Sequence, residues 1–272
     1  MGLIDLFYRY VFRENIEIGD EDYWTAFFNR KLSLYKEKGI LDIDDWQETR
    51  YYNKLLLLLK EVLKIKSFKN LEVLELGSGT GILSILMAKE GALVTLIDKN
   101  KNALLYSKII VRELRKRGKF IGRVKIVEGD IYDIEQKGNF DIVHNYGVIE
   151  HFQDKEIIKL LKIMKRHAKQ DTGEVLSAVP NYFSPDTISI WLKYSKGNER
   201  YLSKRKLKIL FKKSGFESPV CFSSRTVFPY FISKNICEKF NKFEDFIGQN
   251  LNLGFLYIAL SNNNPLHNYK TY

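Results

Sequence analysis

The decisive stretch of the chain reads LEVLELGSGTG, from Leu71 to Gly81. An apolar run with an acid near its end breaks into three glycines at alternate positions, and a helical pattern follows from Ile82 to Lys89. This order predicts a buried strand, a tight turn and a helix. Because glycine has no Cβ, the backbone can turn sharply and a ligand can lie against it. The helix start behind the turn offers free N–H groups.

The spacing of the glycines distinguishes this turn from two phosphate-binding turns. A dinucleotide site has the pattern Gly-x-Gly-x-x-Gly, but Ile82 stands at the position of the third glycine and the pattern is Gly-x-Gly-x-Gly. A Walker A loop ends in Gly-Lys-Ser or Gly-Lys-Thr, and no such tripeptide follows. By itself the turn leaves open a methyl donor, another nucleotide or a purely structural role.

A second acid follows the next predicted strand. Residues Ala92 to Ile97 are apolar and partly β-branched, and Asp98 comes directly after them, 21 residues beyond Gly77. That separation is close to the ~20 residues expected of an acid that accepts hydrogen bonds from ribose hydroxyls. The alternative role of Asp98 is local, in capping a helix that begins near Asn100.

Two further predicted strands also end in polar residues. The third strand, Arg123 to Glu128, is soon followed by Asp130, whose carboxylate can accept from an exocyclic amine or lie in a solvated turn. The fourth strand, Phe140 to His144, leads into the segment NYGVIEHF, from Asn145 to Phe152.

Taken in order, these four motifs between residues 71 and 152 resemble those of the class I S-adenosylmethionine-dependent methyltransferases. The segment after the fourth strand is most similar to the small-molecule methyltransferases of quinone biosynthesis. The resemblance implies S-adenosyl-L-methionine as the methyl donor and S-adenosyl-L-homocysteine as the product. In such a site Asp130 faces the adenine amino group, the backbone N–H of Ile131 faces a ring nitrogen, and the Asn145 region touches the methionine end. The residues expected to bind the donor are Glu75, Gly77, Ser78, Gly79, Gly81, Asp98, Lys99, Asp130, Ile131, Asn145 and Tyr146.

The alternation of strands and helices predicts an α/β fold with right-handed crossovers. We expect a Rossmann-like, seven-stranded, mostly parallel sheet with helices on both faces, and the resemblance implies that the last strand is antiparallel. The motif residues all fall at carboxyl ends of strands, where ligands of such sheets bind. We divide the chain into a helical N-terminal cap, a methyltransferase domain with two insertions, and a loose tail. Their ranges are 1–66, 67–261 with insertions at 182–201 and 225–253, and 262–272.

The composition, 45% hydrophobic and 28% charged residues, predicts a soluble globular protein, and we expect a cytoplasmic location. The longest aliphatic run, Leu55 to Leu59, is too short to cross a membrane, and the N-terminus lacks the layout of a signal peptide. Two cysteines, Cys221 and Cys237, form no Cys-x-x-Cys pair, so a reducing compartment is the default expectation and no metal site is predicted.

The net charge of +11 suits nucleic acid or an anionic membrane surface. Much of the excess falls in predicted helices, at 112–119, 159–169 and 204–213, where solvated helix faces are the simpler explanation. Aromatic and basic residues also mix in residues 3–12, which is compatible with peripheral membrane contact. The oligomeric state is not predicted.

Methyl transfer requires few catalytic side chains, because the sulfonium already activates the carbon and the protein mainly aligns the reactants and excludes water. An acceptor amine or hydroxyl can still require a base. His151, just after the fourth strand, is the best candidate, since histidine titrates in the useful range. Its alternative role is to orient the loop. His167 and His267 are expected at the surface.

The acceptor is expected to be a small molecule, methylated on oxygen, nitrogen or carbon. The Asn145 segment lacks the prolines of nucleic-acid amino methyltransferases, and no cysteine lies near the fourth or fifth strand for covalent addition to a base. Aromatic residues in the insertions and the cap favour a lidded pocket. Two alternatives stay open: a basic methyltransferase that acts on RNA or protein, and a donor-binding protein without catalysis.

Overall fold

The structure, a computed structural model, describes residues 21–118, 120–134, 138–185, 187–188, 199–228 and 232–261. Its main helices are α1 (Glu21–Lys38), α2 (Trp46–Leu63), α3 (Ile82–Lys89), α4 (Lys101–Lys116), α5 (Asp154–His167), α6 (Lys204–Lys213), α7 (Lys234–Lys239) and α8 (Asn241–Asn250). The strands are β1 (Glu72–Leu76), β2 (Leu93–Asp98), β3 (Arg123–Glu128), β4 (Ile142–Tyr146), β5 (Glu174–Pro180), β6 (Val220–Ser223) and β7 (Leu256–Leu260). Within these ranges, no helix is both long and apolar enough to span a bilayer.

The seven strands form one sheet in the order β3-β2-β1-β4-β5-β7-β6. The first five strands are parallel, and β7 runs antiparallel to both β5 and β6. The predicted fold class, including the antiparallel last strand, is confirmed. Because β1 lies between β2 and β4, the strand order reverses beside it, and the carboxyl ends of these strands flank a topological switch point, where sheets of this kind bind ligands. We call this place the strand-end edge.

Alternate side chains of β1 enter two apolar cores, one on each face of the sheet. Val73 packs in the core formed with α2, α3 and α4, which includes Leu59 and Ile85. Leu74 packs in the opposite core, formed with α5 and α6, which includes Leu161 and Phe211. Both β1 side chains are almost fully buried, so the central strand is fixed from two sides and the strand-end edge has a rigid base.

One surface prediction is wrong. His167, expected to be exposed, is buried at the end of α5, where its Nδ1 accepts the N–H of Gly138 at 3.1 Å. The local pattern of a basic helix end did not reveal this partner, which lies 29 residues away in the chain. The residues outside the described ranges include His267, the tail 262–272, residues 3–12 and part of both insertions, at 186, 189–198 and 229–231.

The second insertion is fastened to the N-terminal helices by a buried carboxylate. Glu244 of α8 is fully buried and pairs with Arg50 and with Lys54 of α2, whose Nζ lies 2.5 Å from Oε2. Its other oxygen accepts the backbone N–H groups of Val227 and Phe228 at 2.9 and 2.8 Å. A buried carboxylate with this many partners is fully satisfied, so it holds α8, α2 and the start of the insertion together.

Glu244→Gln is expected to lower the free energy of unfolding by about 3 kcal/mol, because Arg50 loses its buried counter-charge and Lys54 keeps only its pair with Asp245. Urea denaturation followed by circular dichroism measures the change. The control is Glu238→Gln, which removes a carboxylate from an exposed pair with Lys234 at 3.8 Å and should change stability by less than ~0.5 kcal/mol. Equal effects of the two substitutions would contradict this role of Glu244.

Candidate active site

The glycine turn is tight for two separate reasons. Gly77, Gly79 and Gly81 have φ angles of +67°, +52° and +64°, in the left-handed region that favours glycine. Space is also limiting, since a Cβ on Gly81 would lie 2.6 Å from Cδ1 of Leu96 and one on Gly77 would lie 2.9 Å from Cγ2 of Val148. The turn therefore fits closely between β2 and the segment after β4.

Asp98, the last residue of β2, holds this turn in place. Its Oδ2 accepts the N–H of Gly79 at 2.7 Å and its Oδ1 accepts the N–H of Asn100 at 2.8 Å. Burial raises the pKa of Asp98, and these two hydrogen bonds partly offset the increase. The N-cap of α4 is Asn100, whose side chain accepts from the N–H groups of Asn102 and Ala103. Each carboxylate oxygen of Asp98 has a second lone pair that can accept from a hydroxyl.

Beneath the turn lies a buried polar network that links two strands and a helix. Glu75 of β1 and His144 of β4 are partners in the sheet register, and Ser84 of α3 has its Oγ 2.7 Å from His144 Nε2. Burial raises the pKa of Glu75 to about 8; a hydrogen bond from Ser84 lowers it, and the charge of Asp98 raises it further. Burial lowers the pKa of His144 to about 3. Both groups are therefore uncharged at neutral pH.

The last two residues of β4 point to opposite faces of the sheet. The side chain of Asn145 is buried toward α5, where its Nδ2 lies 3.2 Å from Sδ of Met164. Tyr146 lies on the side of α2, where its hydroxyl bonds that of Tyr51 and its ring lies 6.3 Å from that of Tyr52. Because the side chain of Asn145 points toward α5, the predicted contact of this residue with the donor would come from its backbone.

The 3₁₀ turn Ile149–His151 follows β4 at the strand-end edge. Burial lowers the pKa of His151 to about 4, so its imidazole is neutral at physiological pH. Glu150 is also buried, and its pKa is raised by burial and by the charge of Glu199. The ring of His151 meets that of Trp24 edge to face at a centroid distance of 6.1 Å.

Helix α1 lies across the strand-end edge. Besides the contact of Trp24 with His151, Phe28 is buried with its Cζ 3.5 Å from the position that a Cβ on Gly79 would occupy. At the other side, the Nδ2 of Asn100 donates to Thr25 Oγ1 at 3.4 Å. The helix therefore spans the edge from the start of α4 to the turn after β4 and encloses the glycine turn.

Three predicted donor contacts lie at the outer part of the edge. Asp130 is exposed, and its Oδ1 accepts the N–H of Tyr132 at 2.7 Å, as expected of a residue that shapes a turn. Ile131 is half-buried and Lys99 is exposed. The ring of Tyr132 packs on that of Phe152 at 5.9 Å, which joins this turn to the segment after β4. The roles of Asp130, Ile131 and Lys99 in donor binding stay predictions.

Within the described ranges, five buried side-chain atoms at or beside this edge have no hydrogen-bond partner in the protein. They are Glu75 Oε2, Ser78 Oγ, Asn145 Oδ1, Glu150 Oε2 and His151 Nδ1. Buried polar atoms are nearly always satisfied in folded proteins, so the four atoms other than Asn145 Oδ1, which lies toward α5, fit a ligand with several polar groups. In the same part of the chain, no group of three or more His, Cys, Asp or Glu residues is arranged to hold a metal ion.

Comparison with known proteins agrees with the class that the fold defines, an α/β protein with a Rossmann-like sheet and a glycine turn at its strand-end edge. A family of methyltransferase domains matches residues 45–218, more than half of the chain. The chain belongs to this methyltransferase family, and the prediction of a methyltransferase is confirmed.

The individual proteins that resemble this chain match it at sequence identities between 14 and 32%. Ubiquinone biosynthesis O-methyltransferase from Pelagibacter ubique (strain HTCC1062) is 32% identical over 102 residues, or 36% of this chain. The chain thus matches about 40% of the length of this curated relative. Magnesium protoporphyrin IX methyltransferase from Synechocystis PCC 6803, solved with bound SAM, has a TM-score of 0.55 at 14% identity over 88% of this chain and 92% of that chain. A SAM-dependent methyltransferase from Archaeoglobus fulgidus has a TM-score of 0.50 at 18% identity over 79% and 99%. Because their identities to this chain are below 20%, the two structures support a shared fold only.

The sequence did not predict several residues that shape this site. Trp24 and Phe28 stand four residues apart, which is typical of one helix face, but nothing in the sequence indicates that this face meets His151 and Gly79. Ser84 looks like any small residue in the first turn of α3. Glu150 had a local signal, a carboxylate next to the candidate base, but its burial depends on distant chain segments.

The pKa of Glu75 leads to a pH-dependent stability. Between its ordinary pKa of 4.5 and about 8, the folded state holds a proton that the unfolded chain has released. This contribution to stability is therefore lost as the pH rises through that window, by up to ~1.4 kcal/mol per pH unit. Glu75→Gln replaces the titrating carboxyl group with an amide. The unfolding free energy of this variant should therefore fall less steeply toward pH 8 than that of the unmodified chain.

Urea unfolding at several pH values measures the two slopes. The histidines with lowered pKa act in the opposite sense, below pH 6.5, and they are the same in both proteins, so they cancel in the comparison. Glu72→Gln, at the start of the same strand, is the matched control and should leave the slope unchanged. Identical slopes for Glu75→Gln and the unmodified chain would show that Glu75 is ionised in the fold.

Proposed function

We propose that this chain transfers the methyl group of S-adenosylmethionine to an oxygen, nitrogen or carbon of a small molecule. The observation that carries the proposal is the cluster of buried polar atoms without partners beside a left-handed glycine turn, at the switch point of a methyltransferase-family sheet. A donor with ribose, amino and carboxylate groups supplies the hydrogen-bonding partners that such a cluster lacks.

The donor would lie between the glycine turn and α1. Asp98 would accept from the ribose hydroxyls with the lone pairs that its backbone hydrogen bonds leave available. Glu75 would face the cationic end of the donor from below, because a carboxyl that is neutral without a ligand ionises more easily when a cation lies nearby. Asp130 and the backbone of Ile131 would contact the adenine.

S-adenosylmethionine supplies a methyl carbon that its sulfonium already activates, so the residues of this chain act mainly by placing the two reactants and excluding water. Trp24 and Phe28 of α1 cover the edge with apolar rings. His151 offers a neutral imidazole whose Nδ1 is buried and has no partner in the described residues. That nitrogen would accept the proton that an acceptor hydroxyl or amine loses.

A small-molecule acceptor fits the enclosed edge better than a polymer does. Two lysines that contribute to the positive charge of α5 and α6 are engaged within the protein: Lys165 with the carbonyl of Gly215, and Lys206 with Asp154. Methylation of RNA or protein is the alternative, and a steep salt dependence of nucleic-acid binding would favour it. We propose a cytoplasmic location together with the small-molecule acceptor.

Asp98→Ala is expected to lower the affinity for S-adenosylhomocysteine at least about tenfold, because hydrogen bonds to a charged group are lost. Isothermal titration calorimetry measures the affinity. The control is Glu128→Ala, at the end of β3, where Glu128 is the register partner of Asp98 but is exposed. An affinity that Asp98→Ala leaves unchanged would rule out its role in binding the ribose.

His151→Gln is expected to preserve donor affinity and to lower the rate of methyl transfer by about a hundredfold or more, as for loss of a general base. The rate is followed with donor labelled in its methyl group. His167→Gln, at a histidine buried away from the strand-end edge, is the control and should retain the rate. If His151→Gln keeps the full rate, His151 only orients its turn.

The acceptor is found by screening a metabolite library with the labelled donor. Transfer to at least one small molecule is the expected result. If the protein binds the donor tightly and methylates only RNA or protein, the basic-polymer alternative replaces the proposal. Donor binding without turnover on any acceptor would favour a donor-binding protein that does not catalyse.

A further inference from the structure

Helices α7 and α8 expose an unusual concentration of apolar side chains. Five of the twelve large hydrophobic residues that are exposed in the described chain lie in these helices or directly after one of them: Ile236, Phe240, Phe243, Phe246 and Leu251, each between 45 and 58% exposed. Single exposed apolar residues are common on protein surfaces, but a concentrated group marks an interaction site. We call this group the phenylalanine patch.

The orientation of α8 is fixed, so the patch cannot turn inward. Glu244 and Gly248, one turn apart, face the protein: Glu244 is in its buried ion pairs, and a Cβ on Gly248 would lie 2.8 Å from the carbonyl oxygen of Ser224. Helical spacing puts Phe243 and Phe246 on a different face from these two residues. The buried carboxylate thus holds the aromatic side chains toward solvent.

The patch is bordered by positive charge. Lys234, Lys239 and Lys242 are exposed along the two helices, and Lys239 has its Nζ 5.6 Å from the ring centre of Phe240. Two acids on these helices reach the surface: Glu238, which pairs with Lys234, and the partly exposed Asp245, which pairs with Lys54. Apolar aromatic residues flanked by lysines are typical of helices that lie at the surface of an anionic membrane.

We propose that α7 and α8 dock this protein onto an anionic lipid bilayer, with the phenylalanine patch entering the headgroup region and the lysines contacting lipid phosphates. The positive charge around the patch favours the bilayer over a second copy of the chain as the partner. Two copies joined through the patch would bring their lysines together on proteins of net charge +11, whereas an anionic surface complements both. The inference does not depend on the proposed methyl transfer.

The docked helices connect to the strand-end edge through α2. Glu244 pairs with Arg50 and Lys54, and the neighbouring Tyr51 bonds the hydroxyl of Tyr146 at the end of β4. A bilayer bound at the patch would therefore contact helices that are linked to the candidate active site through α2.

The test is sedimentation of the whole chain with vesicles of equal parts phosphatidylglycerol and phosphatidylcholine, and with vesicles of phosphatidylcholine alone. The unmodified chain should bind the anionic vesicles and bind less as salt is added. The double variant Phe243→Ser/Phe246→Ser should lower the partition coefficient at least about tenfold, since two apolar rings no longer leave water. Lys239→Gln/Lys242→Gln should lower it about fivefold for each lysine, on the anionic vesicles alone.

Matched controls come from the opposite end of the sheet. Leu105 of α4 and Ile121, just before β3, are apolar residues with 47% and 73% exposure, and Leu105→Ser/Ile121→Ser should leave vesicle binding unchanged. Circular dichroism confirms that each variant is folded. Failure of the unmodified chain to bind anionic vesicles would overturn the proposal, as would equal losses in the patch and control variants. A dimer in light scattering that Phe243→Ser/Phe246→Ser dissociates would assign the patch to self-association instead.

Discussion

The arrangement of the strand-end edge depends on the close approach of the glycine turn to its neighbours. Side chains at Gly77 or Gly81 would collide with Val148 or Leu96, and their φ angles already disfavour other residues. Because the turn lies against β2, the carboxylate of Asp98 reaches the N–H of Gly79 and closes the turn. One steric requirement therefore brings the end of β1, the end of β2 and the segment after β4 to a single place.

Burial controls the charge of the groups collected there. Without a ligand, desolvation keeps Glu75 protonated and His144 and His151 neutral. A cation that enters the cleft favours the ionised form of Glu75, and by the same coupling an ionised Glu75 favours the cation. The neutral imidazole of His151 keeps a lone pair for an incoming proton. The same low-dielectric surroundings thus favour a positive donor beside Glu75, but they make the imidazole of His151 a weaker base than a solvated histidine.

The sequence predicted what local patterns control and missed what distant partners control. Alternating apolar residues, the glycine spacing and the position of Asp98 are set within a few residues of each motif, and the strands, the turn and the family followed from them. The burial of His167, the face taken by Asn145 and the pairing of Glu244 with Arg50 depend on segments far away in the chain. No periodicity in a single helix indicates which other helix will supply its partner.

The first half of α1, which covers the strand-end edge, is held differently from the rest of the helical cap. Helix α2 is fixed by the buried ion pairs of Glu244, and the second half of α1 is fixed on α4 by the hydrogen bond of Tyr35 with Glu113. The first half of α1 rests on the strand-end edge through ring contacts of Trp24 and Phe28, and it is joined to the start of α4 by hydrogen bonds at Thr25 (3.4 Å) and Asn29 (2.9 Å). Those contacts exclude water from the strand-end edge, and they are separate from the anchors that fix α2 and the second half of α1.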